Sequence, residues 1–376
     1  MSGARNIDLL PPEMITEIFT CLPAKSLGLC KCVSKSWNSF ISHPSFIKAH
    51  LAKTSITKLL LIDNGYGSSL FSVSYANNNL DAIATKSSFR TSQYFINVWT
   101  KVWGSCNGLI LLENNRGVRF LLNPTTLKFR RLPRQYGGYY NKMLGFGYDS
   151  SSDDHVIVLI SCLLSDKSNA YVFVYELKGN IWKSVQVSPY DHSLIRLVPG
   201  IFFKGYLHWF AKDGKDGLLL IAAFDLAKKG FSRVALPDGI VDLKTEFLSI
   251  QVLHGCLCVI AEYNSKTELW IMKEYGVVES WIKLAVDVSE GSWLVSTHLE
   301  EDSLLMLKGS QFLLLVSNTE EAKLQPVNVL GLPSGFKIGM SYVDSLFSPR
   351  REDWKIKKTR RRSKNKTEAG MKNYNV

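Results

Sequence analysis

Apolar residues in the first fifty positions recur at the spacing of one helix face. One set stands at i, i+3, i+4 and i+7: Ile15, Ile18, Phe19 and Leu22. A second set stands at i, i+4, i+7 and i+8: Val33, Trp37, Phe40 and Ile41. Both spacings match the period of an α-helix, so the pattern predicts two helices that each carry one apolar face.

Prolines mark the ends of these helices. Pro11 and Pro12 precede the first helix, where a missing N–H costs little, and Pro23 ends it. Pro44 begins a last short helix. A unit of about 50 residues seldom buries enough apolar surface to be stable alone. We therefore expect part of its apolar face to be covered by a partner.

From about residue 55 the chain consists of short apolar runs separated by Gly, Asn, Asp, Ser and Pro, and these runs recur at a fixed interval. Strand starts fall 47 to 51 residues apart, at Leu59, Leu109, Val156, Leu207, Leu257 and Leu304. A late aromatic keeps the same interval, at Phe129, Trp182, Phe231 and Trp281. A period near 50 residues with several strands per unit is typical of a kelch-type β-propeller. The pattern predicts six units.

The strand runs 171–175, 218–224 and 312–316 are apolar at odd and even positions alike, which predicts sheets covered on both faces. Alternation over residues 336–342 predicts a last strand that closes the ring and removes exposed edges. The predicted fold class is therefore α+β by segments. An all-α unit spans residues 1–52, an all-β propeller spans residues 55–348, and a disordered basic tail spans residues 349–376.

The N-terminal sequence LPPEMITEIFTCLPAKSL at residues 10–27, followed by CVSKSW at residues 32–37, resembles the F-box. The remainder resembles the F-box-associated domain of plant F-box proteins in four segments: GFGYD at 145–149, GYLHW at 205–209, FDL at 224–226 and WIMKEYG at 270–276. The resemblance covers residues 7 to about 348. It implies that the helical unit binds a Skp-type adaptor, which links it to a cullin scaffold, and that the propeller presents a protein substrate.

Carried over by position, the resemblance implies ten adaptor-binding residues: Leu10, Pro11, Ile15, Ile18, Phe19, Leu22, Pro23, Leu27, Val33 and Trp37. A few large central residues usually dominate such interfaces, at about 2 kcal/mol or more each. The alternative is that these residues only form the core of the helical unit, and this alternative is strongest for Trp37.

The formal charge of +12 is concentrated in the tail. Residues 350–366 carry ten Lys or Arg against Glu352 and Asp353, a net charge of +8 that leaves only +4 for the rest. A dedicated nucleic-acid reader would show a basic domain surface instead, so nucleic acid is not an expected partner. The tail is a candidate nuclear import signal, centred on Lys357, Lys358, Arg360, Arg361 and Arg362, or a solubilising tail of no further role.

No pattern of catalytic residues stands out in the chain. The Gly-x-Ser-x-Gly elbow, the phosphate-binding Gly-rich loop and the His-Glu-x-x-His motif are all absent. Seven histidines are scattered, and the pairs Cys30-x-Cys32 and Cys256-x-Cys258 lack the spacer of common zinc hooks. The sequence thus predicts a non-catalytic protein with no metal and no cofactor. It also contains no apolar run long enough for a membrane span.

Two loops are candidates for substrate capture. Residues 134–142 combine Arg134 with Tyr136, Tyr139 and Tyr140, a composition favoured at interface cores. An ordinary Gly- and Tyr-rich connecting loop is the alternative. Residues 188–199 form a weaker candidate. The predicted function is substrate recognition for a Skp–cullin–F-box ubiquitin ligase in the nucleus and cytoplasm, with a non-degradative adaptor-bound scaffold as the alternative.

Overall fold

A computed structural model of the 376-residue chain describes residues 11–54, 57–63, 69–75, 81–87, 99–135, 139–163, 169–192, 199–241, 247–253, 255–263, 266–284, 292–299, 303–308, 311–318 and 321–349. All statements on structure refer to these residues. The basic tail and its five predicted import residues lie outside them, as do Leu10 and Tyr136.

Four helices form the N-terminal part, which we call the helical unit: α1 (Pro12–Thr20), α2 (Ala24–Cys30), α3 (Lys35–Ile41) and α4 (Pro44–Lys53). The predicted proline boundaries are confirmed, because Pro12 and Pro44 open α1 and α4, and Pro23 lies between α1 and α2. The side chain of Ser34 accepts a hydrogen bond from the backbone N–H of Trp37 at 3.1 Å and caps α3.

The rest of the chain forms 25 described strands and one short α-helix. The strands are β1 (Thr57–Asp63), β2 (Leu70–Tyr75), β3 (Asp81–Ser87), β4 (Trp99–Cys106), β5 (Leu109–Asn114), β6 (Arg119–Asn123), β7 (Lys128–Arg131), β8 (Tyr139–Asp149), β9 (Asp154–Leu163), β10 (Ala170–Glu176), β11 (Ile181–Val187), β12 (Tyr190–Asp191), β13 (Ile201–Phe203), β14 (Tyr206–Asp213), β15 (Leu219–Asp225), β16 (Phe231–Val234), β17 (Phe247–Leu253), β18 (Cys256–Tyr263), β19 (Lys266–Met272), β20 (Trp281–Leu284), β21 (Ser292–Leu299), β22 (Ser303–Lys308), β23 (Gln311–Asn318), β24 (Glu321–Leu330) and β25 (Phe336–Val343). Helix α5 (Asp238–Val241) follows β16.

These strands form five sheets, one fewer than the six units predicted, because two of the six runs of strands share one sheet. Four sheets correspond to single units: β4–β7, β8–β11, β12–β16 and β17–β20. The fifth has eight strands, in the order β21-β22-β23-β24-β3-β2-β1-β25. It arises because β24 pairs in parallel with β3 and fuses two runs of four antiparallel strands into one sheet. Sequence spacing marks the runs but cannot show that two of them share backbone hydrogen bonds.

The sheets form a closed ring. The first strand of each run contacts the first strand of the next, in the cycle β25, β4, β8, β13, β17, β21 and back to β25. The predicted closing strand is confirmed, because β25 pairs antiparallel with β1 at the start of the ring. Apolar clusters fill the spaces between β4–β7 and β8–β11, between β8–β11 and β12–β16, and between β12–β16 and β17–β20. The sheets β8–β11 and β12–β16 are therefore buried on both faces.

The repeat predicted from the sequence has a structural counterpart. The six strand markers fall in the second strand of each run, and the four late aromatics fall in the fourth strand. Two of these aromatics link neighbouring sheets in the same way. The indole N–H of Trp182 donates to the carbonyl oxygen of Pro133 at 3.0 Å, and that of Trp281 donates to the carbonyl oxygen of Ala235 at 3.0 Å.

The segment after β25 joins the propeller to the helical unit. Leu346 is 4% exposed and packs in one cluster with Phe19, Ala24, Leu27, Ile41 and Phe46 of the helices. Backbone carbonyls on both sides of Leu346 are held by the side-chain amide of Asn123, which donates to Ser345 at 3.0 Å and to Phe347 at 2.8 Å. The propeller thus supplies one side chain to the core of the helical unit.

Polar contacts hold the same junction. Lys58 and Thr125 both bind the carboxylate of Asp344, at 2.6 and 2.8 Å. Lys48 of α4 lies 2.7 Å from Asp153 in the β8–β9 turn, and this ammonium, with the hydroxyl of Tyr148, holds the pKa of Asp153 down at about 2. The β6–β7 and β8–β9 turns therefore lie at the end of the propeller that faces the helical unit.

Candidate functional site

Nine of the ten residues predicted to bind an adaptor are described, all except Leu10, and they fall into three groups by exposure. Pro11, Ile18, Pro23 and Val33 are exposed, with Ile18 at 48% and Val33 at 68%. Ile15, Leu22 and Trp37 are half-buried. Phe19 and Leu27 are buried in the core at 4% and 0%. Their side chains cannot contact a partner in this conformation. For these two residues the structure agrees with the alternative, a role in the core of the helical unit.

Two exposed apolar residues escaped the sequence prediction. Met14 is 50% exposed and lies one turn before Ile18 on α1. Leu29 is 75% exposed at the end of α2, four residues before Val33. The ten predicted residues were carried over by position from the F-box resemblance, which does not separate side chains that meet the core from side chains that meet a partner. An i, i+4 search for a second apolar stripe would have found Met14 with Ile18.

Aromatic side chains and a buried histidine fill the core of the helical unit under these exposed residues. The ring of Trp37 meets that of Phe19 edge-on, with 4.8 Å between the centroids, and Phe40 lies 5.0 Å from Phe46. His50 is 2% exposed, and its Nε2 bonds to the carbonyl oxygen of Leu22 at 2.8 Å. Because other side chains already fill the core, the exposed apolar residues on α1, α2 and the turn after α2 are available to another protein.

The described parts of the first substrate-capture candidate, residues 134–135 and 139–142, lie at the other end of the propeller. Strand β8 runs from Tyr139 to Asp149 and ends beside the turn that meets Lys48. At about 3.3 Å per residue, its start is about 30 Å from the helical unit. Tyr139 and Tyr140 begin this strand, and their side chains lie outside the described residues. The second candidate, residues 188–199, begins directly after β11 at the same end, as far as the described residues show.

A groove lies on the outer side of the ring between the sheets β4–β7 and β8–β11. It has a volume of about 370 Å³ and is lined by Pro133, Arg134, Gln135, Phe173, Asn180, Ile181, Trp182 and Ser184. The sequence prediction contributed only Arg134 to this set, because Ile181 and Trp182 come from the next sheet. The groove starts at the base of the 134–142 loop and follows β11.

A smaller cavity of about 180 Å³ lies at the centre of the ring. Its lining comes from the innermost strands and includes Ser105, Asn107, Gln251, Ser341 and Tyr342. Its described lining residues include no Asp, Glu, His, Lys or Arg. The cavity offers apolar surface and neutral hydrogen-bonding groups.

Three buried histidines, His155, His192 and His208, are neutral parts of the fold. The carbonyl oxygen of Ile201 lies 3.0 Å from Nδ1 of His208, and since that oxygen can only accept, Nδ1 carries the proton. The hydroxyl of Tyr275 then donates to Nε2 at 2.7 Å. Burial lowers the pKa of His208, His155 and His192 to about 4. All three are therefore uncharged at neutral pH.

Ser188 and His192 form the one described hydroxyl–imidazole pair between buried side chains, with 2.8 Å between Oγ and Nε2. A nucleophile of this kind needs a third group that orients the imidazole. Within the described residues Nδ1 of His192 has no hydrogen-bond partner. The serine oxygen also accepts from the backbone N–H of Tyr190 at 3.2 Å, so the pair belongs to a turn.

We expect the stability of the protein to fall as the pH drops from about 6.5 to about 4. The unfolded chain titrates its histidines near 6.5, whereas His155, His192 and His208 titrate near 4 when folded, so the unfolded state binds more protons in this window. By pH 5 each of the three histidines should lower the free energy of unfolding by an amount on the order of 2 kcal/mol. Urea unfolding at pH 7.5 and pH 5 measures the difference.

His155→Phe should flatten this pH dependence, because the imidazole stacks on Phe146 in an apolar site. His43→Ala serves as the control, because His43 is exposed. A pH dependence that is the same in wild type and His155→Phe would contradict the assignment.

The described cysteines offer no metal site. Cys258 is fully buried, which raises the pKa of its thiol, and Cys32 is exposed beside the carbonyl oxygen of Gly28. Within the described residues no group of three His, Cys, Asp or Glu could hold a metal ion. None of the described helices is long and apolar enough to cross a membrane.

Comparison with known families gives two matches that together span most of the chain. The F-box domain matches residues 7–49, and the F-box associated beta propeller domain matches residues 59–346. The chain is 32% identical over 306 residues to the F-box protein CPR1 of Arabidopsis thaliana, which covers 73% of this chain and 72% of that protein. It is 27% identical over 296 residues to an F-box/kelch-repeat protein of the same plant, covering 73% and 78%.

Solved structures give weaker matches. The SapL1 lectin in complex with alpha methyl fucoside aligns with a TM-score of 0.42 and 8% identity, covering 75% of this chain and 99% of that one. The lectin from Aleuria aurantia, a six-bladed β-propeller, aligns with a TM-score of 0.41 and 11% identity, covering 74% and 93%. Similarity at this level supports no argument about this chain.

Proposed function

Because the chain belongs to the F-box proteins that carry an F-box-associated β-propeller, we propose that it is the substrate-recognition subunit of a Skp–cullin–F-box ubiquitin ligase. In this role the helical unit binds a Skp-type adaptor and the propeller binds a protein that is then ubiquitinated and degraded. The chain contributes no chemistry of its own. It raises the effective concentration of substrate beside the ubiquitin-charged enzyme.

The observation that carries this proposal is the exposure of large apolar side chains on a helical unit whose core is already closed. Met14, Ile18, Leu29 and Val33 are between 48% and 75% exposed. Their burial against an adaptor would remove apolar surface from water at about 25 cal/mol per Å². Side chains with this exposure contribute little burial to the free protein, and four of them on one small helical unit mark a surface for a partner.

The position of the candidate substrate loops fits the same role. The 134–142 loop begins at the end of the propeller opposite the turns that contact the helical unit. An adaptor on the helices and a substrate at that loop would not compete for space. We propose that Arg134, with Tyr136, Tyr139 and Tyr140, contributes to substrate binding.

Reconstitution with purified components tests the proposal. The full chain should form a stable complex with a Skp-type adaptor and a cullin on size-exclusion chromatography. Failure to bind any Skp-family adaptor would refute it. Binding without adaptor-dependent ubiquitination of any captured protein would favour the non-degradative scaffold.

For the basic tail we propose a role in nuclear import, consistent with a protein that works in both nucleus and cytoplasm. The dense cations of Lys357, Lys358 and residues 360–362 suit an acidic groove on an import carrier. A fluorescent reporter fused to residues 350–376 should concentrate in the nucleus, and one with these five cations changed to alanine should not. A reporter that stays cytoplasmic with the native tail would refute the proposal.

A further inference from the structure

The two sheet junctions that share the tryptophan contact differ in the residues that come after the accepting carbonyl. After Ala235, which accepts from Trp281, the buried residues Leu236, Pro237 and Ile240 fill the space beside the indole. After Pro133, which accepts from Trp182, the chain continues with Arg134, which is exposed, and Gln135. The same architecture thus gives a filled junction in one place and an open groove in the other.

The open groove has an aromatic floor and a pre-formed polar rim. Trp182 and Phe173 lie among its lining residues. Arg130 holds one end, because its guanidinium donates to the hydroxyl of Tyr175 at 3.0 Å and also to the side-chain oxygen of Asn180. A groove fixed in this way loses little conformational entropy when a ligand enters.

The charge of the groove is positive. Among the described residues its lining contains Arg134 and no carboxylate, and Arg131 is exposed nearby on β7. Within the described residues the guanidinium of Arg134 makes one long hydrogen bond, 3.4 Å to the carbonyl oxygen of Arg116. Most of its donors are therefore available to a carboxylate, which a guanidinium binds in a bidentate fork.

Strand β11 extends this surface beyond the groove. It has seven residues, whereas the other outer strands with a free edge, β7, β16 and β20, have four each in the described structure. Ile181, Val185 and Val187 are 54%, 37% and 44% exposed. From Ile181 to Val187 the strand spans about 20 Å, which exceeds the length of most small metabolites and suits an extended peptide.

We propose that this surface, formed by the groove and the outer edge of β11, binds an extended segment of a substrate protein in which acidic residues stand beside apolar ones. The carboxylate side chains pair with Arg134, and the apolar ones lie against Trp182 and Ile181. The inference rests on the proposed function, since it names the kind of segment that the substrate-binding propeller recognises.

Selection from a random peptide library displayed on phage, with the full chain as bait, tests the proposal. We expect enriched sequences that alternate Asp or Glu with apolar residues. As fluorescent synthetic peptides, they should lose at least about tenfold in affinity for Arg134→Glu and for Ile181→Ser. Arg134→Lys should recover part of the loss, because the charge returns without the planar fork.

Two matched variants control for general effects. Lys215→Glu reverses an exposed charge in the β14–β15 turn, and Ile282→Ser removes an exposed apolar side chain on the outer strand β20, so both should bind the selected peptides like wild type. Three outcomes would overturn the proposal. The selected peptides could be basic or neutral, or Arg134→Glu could bind them as well as wild type does. Wild type could also enrich no more peptides than an Arg134→Glu/Ile181→Ser protein used as bait.

Adaptor binding by the same proteins separates this inference from the proposed function. All the variants lie outside the helical unit and should bind a Skp-type adaptor like wild type. If they do and the peptide result is negative, the groove assignment fails while the function stands. If wild type binds no adaptor, the proposed function fails instead.

Discussion

Replacement of both Ile18 and Val33 with aspartate is expected to lower the affinity for a Skp-type adaptor by at least about a hundredfold. Both side chains are roughly half exposed or more, so the change leaves the core of the free protein intact. In a complex each aspartate would place a carboxylate without a partner in a desolvated contact, which costs far more than the lost apolar area. Calorimetric titration of the full chain with the adaptor measures the effect.

Leu330→Asp is the matched control for this change. Leu330 is 57% exposed, similar to Ile18 and Val33, but it lies at the end of β24 in the propeller. It should bind the adaptor with wild-type affinity. Equal affinity of wild type and the Ile18→Asp/Val33→Asp protein, with both folded by circular dichroism, would show that the adaptor does not use this face.

The local patterns of the sequence predicted most of the architecture. Helix ends follow from Pro12, Pro23 and Pro44 because proline constrains the backbone at its own position. The strand repeat follows from the burial of sheets such as β8–β11 and β12–β16 on both faces, which leaves nearly continuous apolar runs at an interval of about 50 residues. These features depend on neighbours in sequence, and a single chain displays them directly.

Features that depend on distant residues could not be predicted in the same way. The parallel pairing of β24 with β3 joins residues almost 250 positions apart, and nothing in either strand specifies the other. The groove beside Trp182 exists only because the sheets β4–β7 and β8–β11 lie side by side. Gly108 gives a related example: a side chain there would collide with Ser345, a contact that the residues around Gly108 do not reveal.

Only part of the candidate site could be predicted, because it too depends on residues that are distant in sequence. Apolar periodicity located the helical unit, and the F-box resemblance supplied its interface residues by position. Neither could divide the residues between core and surface, so the predicted interface included Phe19 and Leu27 and left out Met14 and Leu29. The division depends on what covers the helices from the other side. Part of that cover is Leu346, which lies beyond the last strand of the propeller, more than 300 residues later.

Leu346→Ala is expected to weaken adaptor binding even though Leu346 is not on the exposed face. The side chain is 4% exposed in the core of the helical unit, and its truncation should cost about 2 to 5 kcal/mol of local stability. A unit of about 50 residues has little stability in reserve, so a substantial fraction of the helices should open in the variant. Adaptor affinity then falls by the same factor as the folded fraction.

Hydrogen exchange with the full chain distinguishes this coupling from general destabilisation. In Leu346→Ala the amides of α1 to α4 should lose protection while those of β8 to β10 keep it. Leu257→Ala is the comparison, because Leu257 is fully buried in β18 and its loss should loosen the propeller while leaving the helices and adaptor affinity unchanged. Wild-type protection of the helices in Leu346→Ala would mean that the helical unit folds without the propeller. The expected loss of protection in α1 to α4 would instead mean that the segment after β25 is part of the adaptor-binding unit. The helices that bind the adaptor would then stay folded only while the propeller holds Leu346 in place.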